Sequence, residues 1–256
     1  MVRLQAHRGV ASEYPENTMA AFNAAIEQGY ALIELDPKYT ADGRFVILHD
    51  RTLKRTARDR DGNAPELAIA DITYDEAKGY EYGSWFDERF KGETIPALDD
   101  VLCLAEKNPG TALKLDNVWE SFSDELKRAF LSGIAAHGAK NVGITCKSLD
   151  GMKLASEYLP YCELHYDGAD LSDETLRQVK AIAEDHRLTI WICYDNENTR
   201  WFKGEKASVR LCERVKAYGD IGVWLLTEKS ELDEAVSVFG ASAVETTGSL
   251  KVSMLN

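Results

Sequence analysis

The sequence predicts an α/β fold, a (β/α)8 barrel, on three observations. Short apolar, β-rich runs alternate with amphipathic helical stretches, the pattern of βα units around a parallel sheet. Most of these runs are polar only at their C-terminal ends, as in strands buried on both faces whose carboxyl ends carry function. The length, 256 residues, suits one barrel, so residues 1–256 are read as a single domain.

The elements follow in order. LQAHRG, from Leu4, is the first strand. A helix follows, with Asn17 as its cap, an apolar face of Met19, Phe22, Ala25 and Ile26, and a stop at Gly29. ALIELD and RFVILHD come next, then TALKLD, NVGITC, CELHYD, LTIWICYD, IGVWLL and SAVETT. Thr73 with Glu76, and Ser230 with Asp233, have capping-box spacing; Ser172 caps LSDETLRQVKAIAEDH; Gly138 and Gly240 fit helix stops. Those are nine strand candidates, or eight if RFVILHD is the return of a hairpin with ALIELD. A barrel has eight places, and the surplus is expected among CELHYD, LTIWICYD and IGVWLL.

Residues 51–95 break the alternation. At about 45 residues they are too long for an ordinary βα loop. They read as an insertion after the third strand, near the strands' carboxyl ends. Tyr80, Tyr82, Trp85 and Phe86 indicate that it is packed.

Composition excludes several functions. The net charge of −13 and pI of about 4.9 argue against nucleic-acid binding and against adhesion to an anionic membrane. No apolar run approaches the ~20 residues of a transmembrane helix, and MVRLQAHRGV lacks the apolar stretch of a signal peptide. Five cysteines without CxxC spacing read as reduced thiols of a cytoplasmic protein and argue against cysteine-bound zinc.

Polar residues gather at the strand ends. His7 and Arg8 close the first strand, and His49 closes the third. Two histidines on near-neighbour strands suit a proton acceptor and a proton donor. Glu34 and Asp36 share one strand face, either as a solvated rim pair or as a hard oxygen site for Mg²⁺ or Ca²⁺. Lys114 and Asp116 also share a face, as a salt bridge or as a phosphate-binding cation beside a metal ligand. Tyr166, Trp191, Tyr194 and Trp224 form a diffuse aromatic group suited to a small polyol or a choline-like cation, with Trp224 expected in the core. His165, at a strand end, is a candidate substrate contact; His137 and His186 sit at helix ends and read as surface residues.

The run AHRG…PENTMAAF…IELDPKYTADGRFVILHDRTLKRT resembles glycerophosphodiester phosphodiesterases, as do ADITYDEAK, GSWFDERFKGETIPALDDVL and VWLLTEKSELDEAVSVFGASAVETTG. The match spans about residues 4–248, dense from 6 to 102 and loose from 118 to 220. The resemblance implies a barrel of the phospholipase-C-like type and metal-assisted hydrolysis of a small-molecule glycerophosphodiester to an alcohol and glycerol 3-phosphate. It implies His7 and His49 as the acid–base pair, Arg8 on the phosphate, Glu34 and Asp36 as ligands of Mg²⁺ or Ca²⁺, and Glu16 as a support of the first loop. The family usually carries Glu-x-Lys on the fourth strand; here those positions are Lys114 and Asp116. Either Asp116 supplies the third metal oxygen while Lys114 meets phosphate, the reading favoured, or the Lys114 ammonium replaces the metal. His165 and Trp191 complete the expected substrate site. Two further readings stand: a phosphodiesterase for another polyol or lipid head group, and a phosphodiester-binding protein with reduced or lost turnover.

Overall fold

Eight parallel strands hydrogen-bond around a closed ring in a computed structural model that describes residues 2–138 and 140–255. In chain order the elements are β1 (Arg3–His7), α1 (Met19–Glu27), β2 (Leu32–Leu35), β3 (Pro37–Tyr39), β4 (Phe45–Ile47), α2 (Tyr74–Ala77), α3 (Leu98–Lys107), β5 (Ala112–Leu115), α4 (Asp124–His137), β6 (Val142–Cys146), α5 (Leu149–Tyr158), β7 (Glu163–Tyr166), α6 (Asp173–Ile182), β8 (Leu188–Cys193), α7 (Val209–Val215), β9 (Asp220–Trp224), α8 (Lys229–Ser237) and β10 (Ala243–Thr246). The ring runs β1-β10-β9-β8-β7-β6-β5-β2, closed by pairing of His7 with Glu34 and of Gln5 with Glu245. This is the predicted (β/α)8 barrel.

Two details differ from the sequence reading. The surplus run is RFVILHD: β4 pairs antiparallel with β3 in a separate two-stranded sheet, while CELHYD, LTIWICYD and IGVWLL all take barrel places as β7, β8 and β9. The third barrel strand is therefore β5, so residues 51–95 extend a hairpin excursion between the second and third barrel strands. That excursion has its own small core, with Val46, Leu53, Ile69, Ile72, Tyr82 and Ile95 buried together.

The caps also sort themselves. Thr18, and not Asn17, caps α1 by accepting from the Ala21 amide; Asn17 is needed elsewhere. The Thr73–Glu76 box, the Ser172 cap and the left-handed Gly138 stop are present. At α8 the box shifts two residues, because Glu231 and not Asp233 takes the amides of Thr227 and Glu228.

The apolar core lies between the barrel's outer wall and the helices, with Leu4, Phe22, Ile33, Leu113, Phe130, Ile144 and Val223 buried there. The barrel interior is polar by contrast. His165 and Trp191 fill it, and glycines on the neighbouring strands make their room: a Cβ at Gly143 would lie 2.4 Å from the His165 ring and one at Gly222 2.6 Å from the Trp191 ring. Among the described residues, no helix is long and apolar enough to cross a membrane.

Candidate active site

Parallel strands bring every carboxyl end to one rim, and the side chains there are set by local backbone. The turn after β1 is tight. Gly9, at φ +81°, lies against α1, where a Cβ would meet the Ala21 backbone at 2.8 Å. Arg8 and Asn17 adopt left-handed φ of 58° and 56° although neither is glycine. Such residues cost about 1–3 kcal/mol each and persist where surrounding contacts hold them. Those contacts are present: the Arg8 amide donates to Glu34 Oε2 at 3.0 Å, the Asn17 amide donates to the Arg8 carbonyl at 3.0 Å, and Asn17 Nδ2 donates to Asp36 Oδ2 at 2.8 Å. The strained turn thus clasps Glu34 of β2 and Asp36 just after it.

A cleft of about 430 Å³ opens at this rim, lined by His7, Arg8, Glu34, Asp36, His49, Lys114 and Asp116 among others. The structure therefore brings together seven of the ten residues predicted from sequence. Glu16 stands behind them, as expected: its Oε1 accepts from Arg8 at 3.0 Å. A larger, more open depression of about 820 Å³ lies around Tyr218 and Asp220, at the amino end of β9, the end of a barrel that carries stability.

Two expected contacts fall elsewhere. His165 is fully buried inside the barrel, where its Nδ1 accepts from Trp191 Nε1 at 3.1 Å, so it does not line the cleft. Trp191 does not line it either; its ring lies beneath Lys114, whose Nζ is 4.3 Å from the ring centroid. Trp224, expected in the core, instead lines the cleft and donates to Asp167 Oδ1 at 3.3 Å.

The electrostatics are those of a crowded anionic site. Glu34 is pushed well above the usual carboxylate range by burial and by the charges of Asp36, Glu245 and Asp116. Burial also works to raise Asp36, but Arg8, with its Nε 3.3 Å away, His49 and Lys38 outweigh it and hold Asp36 low. Burial and Asp36 raise Asp116, and burial lifts Asp167 to about 6. Lys114 is raised against its burial by Glu245, 3.8 Å away, and by Glu34. Burial lowers His7, favouring the neutral imidazole.

The donor set fits a divalent cation. Five carboxylates, Glu34, Asp36, Asp116, Asp167 and Glu245, face Arg8, Lys38 and Lys114, an excess of two negative charges among oxygen donors. Glu34, Asp36 and Asp116 do not bring one oxygen each within 4.8 Å of one another; among the described residues such a convergence occurs only at Cys103, Glu106 and His137, on α3 and α4.

Several cleft residues were missed in the sequence. Glu245 lies near the end of SAVETT and Asp167 ends CELHYD, and the same strand-end rule would have found them. Asp50 shares a 2.6 Å hydrogen bond with His49 Nδ1 and is held down to about 2, chiefly by Arg55. Nothing in sequence spacing marks Arg55 as its partner.

A model described as the glycerophosphoryl diester phosphodiesterase family matches residues 7–232 of the chain. A glycerophosphodiester phosphodiesterase of Caldanaerobacter subterraneus subsp. tengcongensis is 44% identical over 96 residues, 38% of this chain and 37% of that protein. The chain spans about two fifths of the length of the first curated relatives it matches, 42% and 37%. Among solved structures, an Oleispira antarctica phosphodiesterase in complex with the product sn-glycerol-3-phosphate superposes with a TM-score of 0.75 at 21% identity, covering 96% of this chain and 93% of that one. A Thermotoga maritima glycerophosphodiester phosphodiesterase gives 0.64 at 23% identity, covering 97% and 96%. Both share the fold.

Proposed function

The chain belongs to the glycerophosphoryl diester phosphodiesterase family, and from that premise we propose that its rim cleft hydrolyses small glycerophosphodiesters to an alcohol and glycerol 3-phosphate. The observation that carries this reading is the convergence of His7 and His49 with Arg8 and Lys114 on one cleft.

In the proposed reaction water attacks phosphorus and the P–O bond to the head-group alcohol breaks. His7, kept neutral by burial, takes the water's proton. His49, fixed through Nδ1 by Asp50, gives a proton to the leaving alkoxide. Charge grows on the non-bridging oxygens, and Arg8 and Lys114 offset it. A divalent cation, Mg²⁺ or Ca²⁺, would be held by Glu34, Asp36 and Asp116 and would supply further charge stabilisation. The inverted order at 114 and 116 supports that division: Lys114 turns to Glu245 and Trp191, while Asp116 stays on the cleft wall, its Oδ1 accepting from the Val118 amide. We also read residues 1–256 as one domain with 51–95 inserted.

The test is a panel of glycerophosphodiesters incubated with the protein, with and without EDTA and added Mg²⁺ or Ca²⁺. Release of glycerol 3-phosphate that falls with EDTA supports the reading. Tight binding of the diesters with no turnover under any cation would leave a binding protein instead.

A further inference from the structure

A second cluster of metal-ligand side chains stands where α3 and α4 end. Helices of the barrel run opposite to its strands: α3 finishes at Lys107, just before β5 begins at Ala112, and α4 finishes at His137, just before β6 begins at Val142. Both helix ends therefore lie at the amino face of the barrel, and the cleft lies at the other face.

Local structure places three donors there. α3 turns Val101, Leu102, Leu104 and Ala105 inward, which leaves Cys103 and Glu106, three residues apart, on its outer face. His137 is the last residue of α4. Asn141 ties the chain after α4 to the end of α3, its Nδ2 donating to the Ala105 carbonyl at 2.9 Å and the Thr111 carbonyl at 2.7 Å. Across the gap Cys103 Sγ lies 3.5 Å from His137 Nε2, and Glu106 Oε1 lies 3.4 Å from His137 Nδ1. The sulfur, a carboxylate oxygen and one imidazole nitrogen come within 4.8 Å of one another.

That spacing suits a small tetrahedral ion. Zinc bonds of ~2.3 Å to sulfur and ~2.0 Å to nitrogen set those two ligands about 3.6 Å apart, close to the gap between Sγ and Nε2. The Glu106 side chain is 49% exposed, so it is free to turn its oxygen onto the same ion. One thiolate and one carboxylate balance a divalent charge. Sulfur with imidazole favours zinc over Mg²⁺ and Ca²⁺, which take oxygen ligands. No CxxC spacing marks the cluster in sequence, because two of its donors are not cysteines and one comes from the next helix.

We propose that Cys103, Glu106 and His137 form a zinc site, with water in the fourth position, that joins the end of α3 to the end of α4. The site is separate from the cleft and does not depend on the diesterase reading.

The probe is Co²⁺, which occupies tetrahedral zinc sites and gives a charge-transfer band when a thiolate binds it. Titrated into the freshly reduced full chain, it should produce that band; zinc should remove it and excess Mg²⁺ should not. Cys103→Ser should abolish the band, since the other four cysteines are buried. His137→Gln and Glu106→Gln should each weaken cobalt binding by at least about tenfold, the loss that even an outer partner of a metal ligand causes. Circular dichroism checks that each variant is folded. Absence of the band in the wild type, or the same band in Cys103→Ser, would overturn the site. Unchanged cobalt affinity in both His137→Gln and Glu106→Gln would overturn it as well, leaving a single thiolate that binds cobalt.

Discussion

Arg55 holds both carboxylate oxygens of Glu16, Nη1 to Oε2 at 2.7 Å and Nη2 to Oε1 at 2.8 Å. The same guanidinium reaches Asp50 with Nε at 2.8 Å and Nη2 at 3.0 Å. Glu16 in turn receives Arg8, and Asp50 receives His49. One arginine of the excursion after β4 therefore holds, through Glu16 and Asp50, both Arg8 and His49.

Arg55→Met should lower kcat/KM by about 10²-fold, since a misplacement near 1 Å costs that much. Arg55 is 40% exposed, so the loss of stability should stay below about 1 kcal/mol. Steady-state kinetics and urea unfolding of the one variant check both halves.

Asp50 gives a pH signature. Its carboxyl is held down to about 2, first by the Arg55 hydrogen bonds, from an ordinary 3.8. A depressed carboxylate stabilises the fold above its unfolded value, and that contribution is lost as pH falls toward the folded value. Stability should therefore decline between about pH 4 and pH 2. After a discount for partial exposure, Asp50→Asn should flatten that window by about 1 kcal/mol. Urea midpoints at several pH values measure it.

Lys114 and Glu245 should behave as one unit. Both are nearly buried, at 4% and 8% side-chain exposure, with Gln5 also donating to Glu245. Breaking a buried pair from one side costs about 3–5 kcal/mol. Lys114→Met and Glu245→Gln should each destabilise strongly, and the double variant should cost at least about 1 kcal/mol less than their sum. A double-mutant cycle in EDTA reads the coupling.

Asp116→Asn and Lys114→Met should fail differently. On the proposed assignment the first would weaken the cation site, so excess Mg²⁺ should restore part of the rate; the second would remove a phosphate contact, and added cation should not help. Calorimetric titration of Mg²⁺ should show weaker binding to Asp116→Asn.

The sequence made the barrel legible because strands buried on both faces are apolar along their length and polar only at the ends, as LQAHRG and ALIELD are. The same rule placed His7, Glu34 and Asp116 on the rim. It left RFVILHD open between a barrel strand and a hairpin return; the run pairs antiparallel with Pro37–Tyr39, and Val46 also bridges Ala97. It misplaced His165 because strand alternation shows that a side chain points inward without showing depth; His165 pairs in register with Thr145, below the rim. Asn17 has a cap's composition, yet its amide serves Asp36, a partner 19 residues away that local pattern does not reveal. Arg55 and Asp50 were hidden for the same reason: the excursion's fold decides what they touch.

The most direct test follows glycerophosphodiester cleavage by phosphorus NMR with the wild type, His7→Ala and His49→Ala, each shown folded by circular dichroism. Acid–base groups contribute about 10²–10⁴ in rate, so the wild type should convert the diester to a phosphomonoester and each variant should be slowed by that factor. Near wild-type conversion by either folded variant would contradict the paired-histidine site.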